Sequence, residues 1–395
     1  MQILILISTL INYLFFTEIH LILMKKSCFL SFLFCILSLS TLKAQVLADS
    51  SSLFSQKDTI CDTIFPSEID QLGITVVAVG DIMLGTNYPS EKYLPPNNNC
   101  FPLLAEVKPY LMDATFTFGN LEGVFSSNGG TPKTCKDTTK CYVFRMPDSY
   151  LDCIIDAGFD ALSMANNHVN DFGYIGRLNT SSHLTANGMP WAGLDSKPYA
   201  IIEKDGRKIG FAAFAPHSGT LDMKDYAGAK KLVAMLNDSC DFVLVYFHGG
   251  SEGKDCQHVT RQDEEFMGHN RGNVYRFAHD VIDAGADLVM GSGPHVTRAV
   301  EIYKDRLIAY SLGNFSTYAR FNLAGPNGIC PLIKTWLAPD GSFIKAQIVP
   351  VYQTGEGGAK PDPHKRAIYK IRELTYADFP DSPVNIDDEG WIFKK

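Results

Sequence analysis

The chain lacks any long run of lysine or arginine, and its formal net charge is −8 over 395 residues. A surface that tracks a nucleic-acid backbone needs clustered positive charge, so nucleic acid is excluded as the expected partner. Zinc-type CxxC spacing is also missing, although ten cysteines are present. Near the N-terminus two apolar runs are interrupted by Glu18, His20, Lys25 and Lys26, so neither supplies the run of about 20 apolar residues that a spanning helix needs. Internal repeats and low-complexity tracts are absent as well. What remains is an ordinary globular composition, 46% hydrophobic and 11% aromatic, sufficient for a sizeable core in one large or two medium domains.

Residues 24–45 read as a secretory signal: Met24-Lys-Lys, an apolar stretch from Cys28 to Leu39, then Ser40-Thr-Leu-Lys-Ala44-Gln45. The expected cleavage follows Ala44, with Met24 as the start and residues 1–23 as a misassigned leader. A membrane anchor built from both apolar runs is the alternative. Phe32-Leu-Phe-Cys35 lacks the small residues that precede a lipidated cysteine. Cleavage would leave eight cysteines in an exported protein of the periplasm or envelope, where disulfides form. Cys135 and Cys141 are the expected local pair, and Cys153, in an apolar helical pattern, reads as a buried free thiol.

After a Ser-, Asp- and Thr-rich spacer over 45–73, six apolar runs each end in a polar cluster. The clusters are Gly80-Asp81, Gly119-Asn120-Leu-Glu122, Asn166-Asn167-His168 with Asp171, His248-Gly-Gly-Ser-Glu252, Gly291-Ser-Gly-Pro-His295, and Ser311-Leu-Gly-Asn314. Helical patterns over 103–111, 147–158, 177–188, 227–236 and 274–284 separate them. Hairpins are expected at 200–214 and 299–310. Gaps of dozens of residues suit strand-helix-strand crossovers. The expected fold is a single α/β sandwich of mixed sheets flanked by helices over 74–351, with the clusters at one edge. The polar stretch 126–141 reads as a rim loop over a site or, more simply, as a tolerated surface insertion, the favoured reading. The tail over 352–395, with a helix at 364–372, is expected to pack on the outside.

Asp81, Glu122, Asn167, His168, His248 and His295 form a mixed oxygen and nitrogen donor set, which suits Mn, Fe or Zn better than soft copper. Two such ions could ionise a water for in-line attack on phosphorus. Each residue has a plain alternative: a helix cap for Asp81, a turn acid for Glu122. His183, His217, His258, His269, His279 and His364 lack such settings and read as surface or core.

The six motifs, in order, resemble those of the CapA family of poly-γ-glutamate capsule synthesis proteins. That resemblance implies a metallophosphoesterase-like, calcineurin-like fold and one or two divalent ions. It also implies a metal-dependent hydrolase or transferase acting on an anionic polymer or its precursor, beside membrane capsule-synthesis proteins. Asp81, Glu122, Asn167, His248 and His295 would then hold metal. His168 would be the acid near the leaving group, oriented by Asp171, and Asn120, Arg145, Glu252 and Asn314 would face substrate. Met83 stands where phosphoesterases of this fold carry a histidine, and Ser292 and Gly293 stand where further histidines are usual. Each ion would keep about three protein ligands. A polymer-binding module without catalysis and a periplasmic phosphoesterase are the competing readings.

Overall fold

Successive side chains of a strand point to opposite faces, so an unbroken apolar run must be covered on both. The computed structural model describes residues 73–135 and 141–395. The expected leader, the signal segment, Cys28, Cys35, Cys61 and nearly all of the spacer lie outside them. In the strand Ile74–Met83, Val76 and Ala78 face one core, while Val77 and Val79 face another. This strand pairs parallel with Phe116–Leu121 and antiparallel with Ile329–Leu337, within a ten-stranded mixed sheet.

A second, six-stranded sheet runs in the order Val300–Tyr303, Arg306–Ala309, Leu288–Ser292, Phe242–His248, Arg207–Phe214 and Tyr199–Lys204. The two sheets pack face to face. Phe118 of the larger lies 5.2 Å from Phe211 and 5.9 Å from Tyr246 of the smaller, ring to ring. Fully burying one such ring contributes about 1.5–3 kcal/mol. The helices Tyr150–Asp156 and Gly173–Ala186 cover the outer face of the larger sheet through Leu151, Ile154 and Leu184. Tyr226–Asn237 and Val274–Asp283 cover the smaller through Val233, Leu236, Phe277 and Val281. The α/β sandwich of mixed sheets flanked by helices, expected from the sequence, is the architecture observed.

Several local expectations need correction. The single helix expected over 103–111 is two short ones, Pro102–Ala105 and Lys108–Leu111, because Pro109 has no N–H to continue the first. Cys153 is not a free thiol: it is bonded to Cys100, while Cys135 pairs with Cys141 as expected. The tail does not lie outside. Its helix, Arg366–Asp378, places Ile368 and Ile371 in the core between the sheets. Its strands Val384–Ile386 and Trp391–Lys394 extend the larger sheet beyond Phe343–Tyr352, covering what would be an open edge. Among the described residues no helix is long and apolar enough to cross a membrane.

The register brings the motif ends level. Asp81 stands opposite Asn120 and Asn314, Asn120 opposite Ser163, and His248 opposite Ser292. Parallel strands from both sheets therefore deliver their carboxyl ends to one crevice, where open α/β sheets take ligands.

Candidate metal centre

Asp81 reaches the crevice through a break in regular pairing. The register shifts beside it on both neighbouring strands, and a side chain on Gly80 would run into the Gly313 carbonyl. Glycine at 80 is a packing requirement. Gly293 is another: its φ is +117°, and an added Cβ would meet the Gly249 backbone. The chain then turns so sharply that His295 itself takes φ +58°, a left-handed conformation rarely adopted by a residue other than glycine.

One ligand atom each of Asp81, Glu122 and His248 lie within 4.8 Å of one another, all three residues buried. In this cluster Glu122 Oε1 and His248 Nε2 are buried and without partners among the described residues, and so is Oδ1 of Asn167, next to His168 in the chain. Leaving a buried polar atom unpaired costs about 1–3 kcal/mol, so such a cluster requires a reason. Two carboxylates, an imidazole and an amide oxygen form a donor set that fits a borderline divalent cation. His295 stands beside them, its Nδ1 3.0 Å from Asp81 Oδ2.

The electrostatics follow from burial and from these pairs. Burial pushes Asp81 up, but His248 3.6 Å away and the hydrogen bond with His295 outweigh it and hold the carboxyl well below the usual range. Burial, then the Asp81 charge, raises Glu122 to about 8. Burial lowers His248. On His295, burial is outweighed by Asp81, and the imidazole is raised. Buried His168 is pushed down to about 4 despite Asp171. Without a cation, the crevice therefore keeps one acid charged and the other protonated at neutral pH.

His168 and Asp171 meet as the sequence suggests, Nδ1 to Oδ2 at 2.7 Å, and Nε2 of His168 lies 3.7 Å from Glu122 Oε1. Asp171 also accepts from the Phe144 backbone N–H at 2.6 Å and pairs with Lys133 at 2.5 Å. Lys133 belongs to the stretch expected to be a plain surface insertion. Of the two readings of that stretch, the rim loop is therefore the better one: the insertion supplies the counter-charge to the carboxylate that orients His168.

The four residues expected to face substrate all have protein partners in this structure. Asn120 is fully buried, and its Nδ2 donates to Asp81 Oδ1 at 2.8 Å and Glu122 Oε2 at 2.5 Å, bracing the two acids. Asn314 places Oδ1 3.0 Å from His295 Nδ1 and donates to the His295 carbonyl, fixing that imidazole. Arg145 donates to Asn87 Oδ1 and the Gly129 carbonyl and lies over the Phe172 ring, stapling loops together. Glu252 is paired with Arg271, with its other oxygen 3.9 Å from His295 Nε2.

Arg271 and His217 are site residues that the sequence reading missed. Arg271 is buried and meets His217 Nε2 at 2.7 Å, and the His217 ring lies 6.4 Å from that of His248. Burial, then Arg271, pushes His217 down to about 2. Arg271 comes from Glu264–Phe266 and His269–Gly272, a polar two-stranded hairpin with no apolar run to announce it. Arg298 pins this hairpin to the loop after His248, donating to both oxygens of Glu264 and to the Ser251 carbonyl. Phe144 was also missed. It stacks on His168 at 4.3 Å and on Phe321 at 5.0 Å.

Residues 75–318 match the family model described as bacterial capsule synthesis protein PGA_cap. The chain is 26% identical over 261 residues to the capsule biosynthesis protein CapA of Bacillus anthracis, covering 61% of this chain and 59% of the relative. It is 25% identical over 244 residues to the PGA biosynthesis protein CapA of Bacillus subtilis (strain 168), covering 60% and 61% respectively. The match thus spans about three fifths of these relatives' length. A hypothetical protein of Thermus thermophilus superposes with a TM-score of 0.42 at 15% identity, covering 73% of this chain and all of its own. The family model covers more than half of the chain and takes in every motif cluster that builds the crevice, and the chain belongs to the bacterial capsule synthesis protein PGA_cap family.

Proposed function

We propose that this protein works in the cell envelope as a divalent-metal-dependent hydrolase or transferase in the making or release of an anionic, poly-γ-glutamate-type polymer. The observation that carries this reading is the buried convergence of Asp81, Glu122 and His248, with an unpartnered polar atom left on Glu122 and on His248. Asp81, Glu122, Asn167 and His248 would hold the cation, with His295 beside them. When bound, the ion would polarise a substrate oxygen and lower the pKa of a coordinated water.

The protein's own groups divide the remaining work. Asp171 fixes the His168 ring through Nδ1, which leaves Nε2 facing the Glu122 side, where it would take a proton from a bound water and hand it on to a leaving group. Asn314 and Asp81 hold His295 in place through its Nδ1. Phe144 and Phe321 wall this side of the crevice and exclude water from His168.

A second reading, a polymer-binding module without catalysis, is favoured by one feature: the Asn120 amide nitrogen already satisfies one oxygen of each carboxylate without any ion. Turnover separates the two. Protein supplied with Mn, Fe or Zn would be incubated with γ-glutamyl oligomers and with simple phosphodiesters, and the products followed by mass spectrometry. Cleavage or transfer of the γ-glutamyl chain, lost in His168→Ala, is the expected result. Metal-loaded protein that binds the oligomers and leaves them intact supports the binding module and contradicts the enzyme.

A further inference from the structure

We propose that the outward face of the larger sheet, over Ile329–Leu337, Phe343–Tyr352 and Trp391–Lys394, is a binding platform for an acidic glycan, a chain of sugar rings that carries carboxylates. The platform is separate from the metal centre, and its side chains all lie beyond the family match over 75–318. Strand alternation builds it. Ile333, Leu337, Ala346, Ile348 and Ile392 enter the core between the sheets, so Lys334, Trp336, Lys345, Gln347, Trp391 and Phe393 face the other way. Register sets Lys345 beside Trp336, and Gln347 between Lys334 and Trp391. Trp336 and Trp391 lean together across the strand between them, ring centres 5.5 Å apart. Phe393 extends the row, 6.2 Å from Trp391 at an interplanar angle of 25°.

The chain has three tryptophans, and the remaining one shows what a structural tryptophan looks like. Trp191 is buried, and its Nε1 donates to Thr185 Oγ1 at 3.0 Å. Trp336 and Trp391 are half-buried, Phe393 is exposed, and none of these three rings belongs to a hydrophobic core among the described residues. Single apolar side chains at a surface are ordinary, but a contiguous row of rings marks a place where something binds. Lys345 lies 5.3 Å from the Trp336 ring and 4.9 Å from the Trp391 ring, with no carboxylate paired to it among the described residues. Lys334, 4.8 Å from Trp336, is paired with exposed Asp113 at 2.7 Å.

The chemistry of this face selects the occupant. A sugar ring offers C–H bonds on its flat sides, which suit the electron-rich face of an indole. Its hydroxyls suit the Gln347 amide and the lysine donors. An unpaired ammonium between two rings, on a chain of net charge −8, adds a place for a carboxylate. An apolar protein partner would meet an apolar centre with charge at the rim, whereas Lys345 stands in the middle of the row. Thr75 stands opposite Trp336, near the start of the strand that carries Asp81, about 20 Å from it at the usual rise of a strand. The protein could rest on a glycan by this face while the crevice stays open.

Isothermal titration calorimetry of the full chain with polygalacturonate in calcium-free buffer tests this, with neutral dextran and poly-γ-glutamate as the other probes. Polygalacturonate is expected to bind at least about tenfold more tightly than dextran. Trp336→Ala and Trp391→Ala should each weaken that binding about tenfold, and Lys345→Gln about threefold with a shallower salt dependence. Lys197→Gln, which removes a lysine 4.5 Å from the Trp191 ring, should bind as wild type does. Trp336 and Trp391 cover part of a sheet, so Lys345→Gln and Phe393→Ala, at the surface, keep the test open if the tryptophan variants do not fold. Wild type that binds no polygalacturonate overturns the proposal, as does binding unchanged in Lys345→Gln, Phe393→Ala and whichever tryptophan variant folds. Dextran bound as tightly overturns the acidic assignment. Poly-γ-glutamate that displaces polygalacturonate shows that charge alone is read, and overturns the glycan. A dimer in sedimentation that Trp391→Ala dissolves gives the face to a second copy and overturns the proposal as well.

Discussion

Two buried clusters in this molecule combine histidine with carboxylate, and they are finished in opposite ways. In one, His279 Nε2 meets Glu301 Oε2 at 2.9 Å, Tyr310 donates to the same oxygen at 2.6 Å, and the imidazole is packed between Tyr275 and Tyr303. Among the described residues, none of this cluster's polar side-chain atoms is left buried and unpaired. In the other, Asp81, Glu122 and His248 converge, and Glu122 Oε1 and His248 Nε2 are left buried with no partner among the described residues. Satisfied networks hold elements together, and the one at His279 ties the helix Val274–Asp283 to the hairpin after it. A network left open at the ends of parallel strands is arranged for something that arrives later.

The largest expected contrast is in metal affinity. Glu122→Ala and His248→Ala should each weaken divalent-ion binding by about 100-fold or more, read by chelator competition, because each removes one of few ligands. His279→Ala should leave it unchanged. A loss of metal in His279→Ala of the same size would erase the distinction between the clusters.

Stability should show the reverse. His279→Ala leaves the buried Glu301 carboxylate with Tyr310 as its remaining partner and is expected to cost about 2 kcal/mol in urea unfolding. Glu122→Gln in metal-free protein should stay within about 1 kcal/mol of wild type, because Glu122, raised to about 8, already carries a proton at neutral pH. A large loss in Glu122→Gln would mean that the open cluster is structural.

The pH dependence sharpens the same point. Glu122 must give up its proton to bind a cation, so affinity rises with pH below about 8, by up to about tenfold per pH unit, and levels off above it. Calorimetry in buffers of different ionisation enthalpy should detect the released proton near pH 7. Affinity that does not change between pH 6 and pH 8 contradicts the assignment of Glu122 as a ligand.

The smallest effect is expected at the support of His295. Asn314→Ala should lower metal affinity by roughly tenfold, with the fold intact by circular dichroism, since it frees an imidazole rather than removing it.

The halves of this comparison were unequally legible in the sequence. Asp81, Glu122, His168, His248 and His295 each follow an apolar run, so the period of the strand and the polar residues at its end identify the position together. The sandwich was legible for the same reason, from runs such as Val76-Val-Ala-Val79 whose alternate residues enter different cores. His279 sits mid-helix with no such punctuation, and its partners Glu301 and Tyr310 come from a later hairpin. Arg271 and His217 were hidden because they act through each other across 54 positions. The Cys100–Cys153 bond joins positions 53 apart, which spacing cannot reveal, and Cys153 was misread for that reason. Asn120 and Asn314 were placed in the right cluster, but their bonds to Asp81, Glu122 and His295 were not legible, because which way an amide faces is settled only by packing.

The central claim is that the open cluster holds a cation, and elemental analysis of protein purified without chelators tests it most directly. The account predicts about one or two equivalents of Mn, Fe or Zn per chain. Protein that is metal-free, and remains so after incubation with each of these ions and removal of the excess, would contradict it.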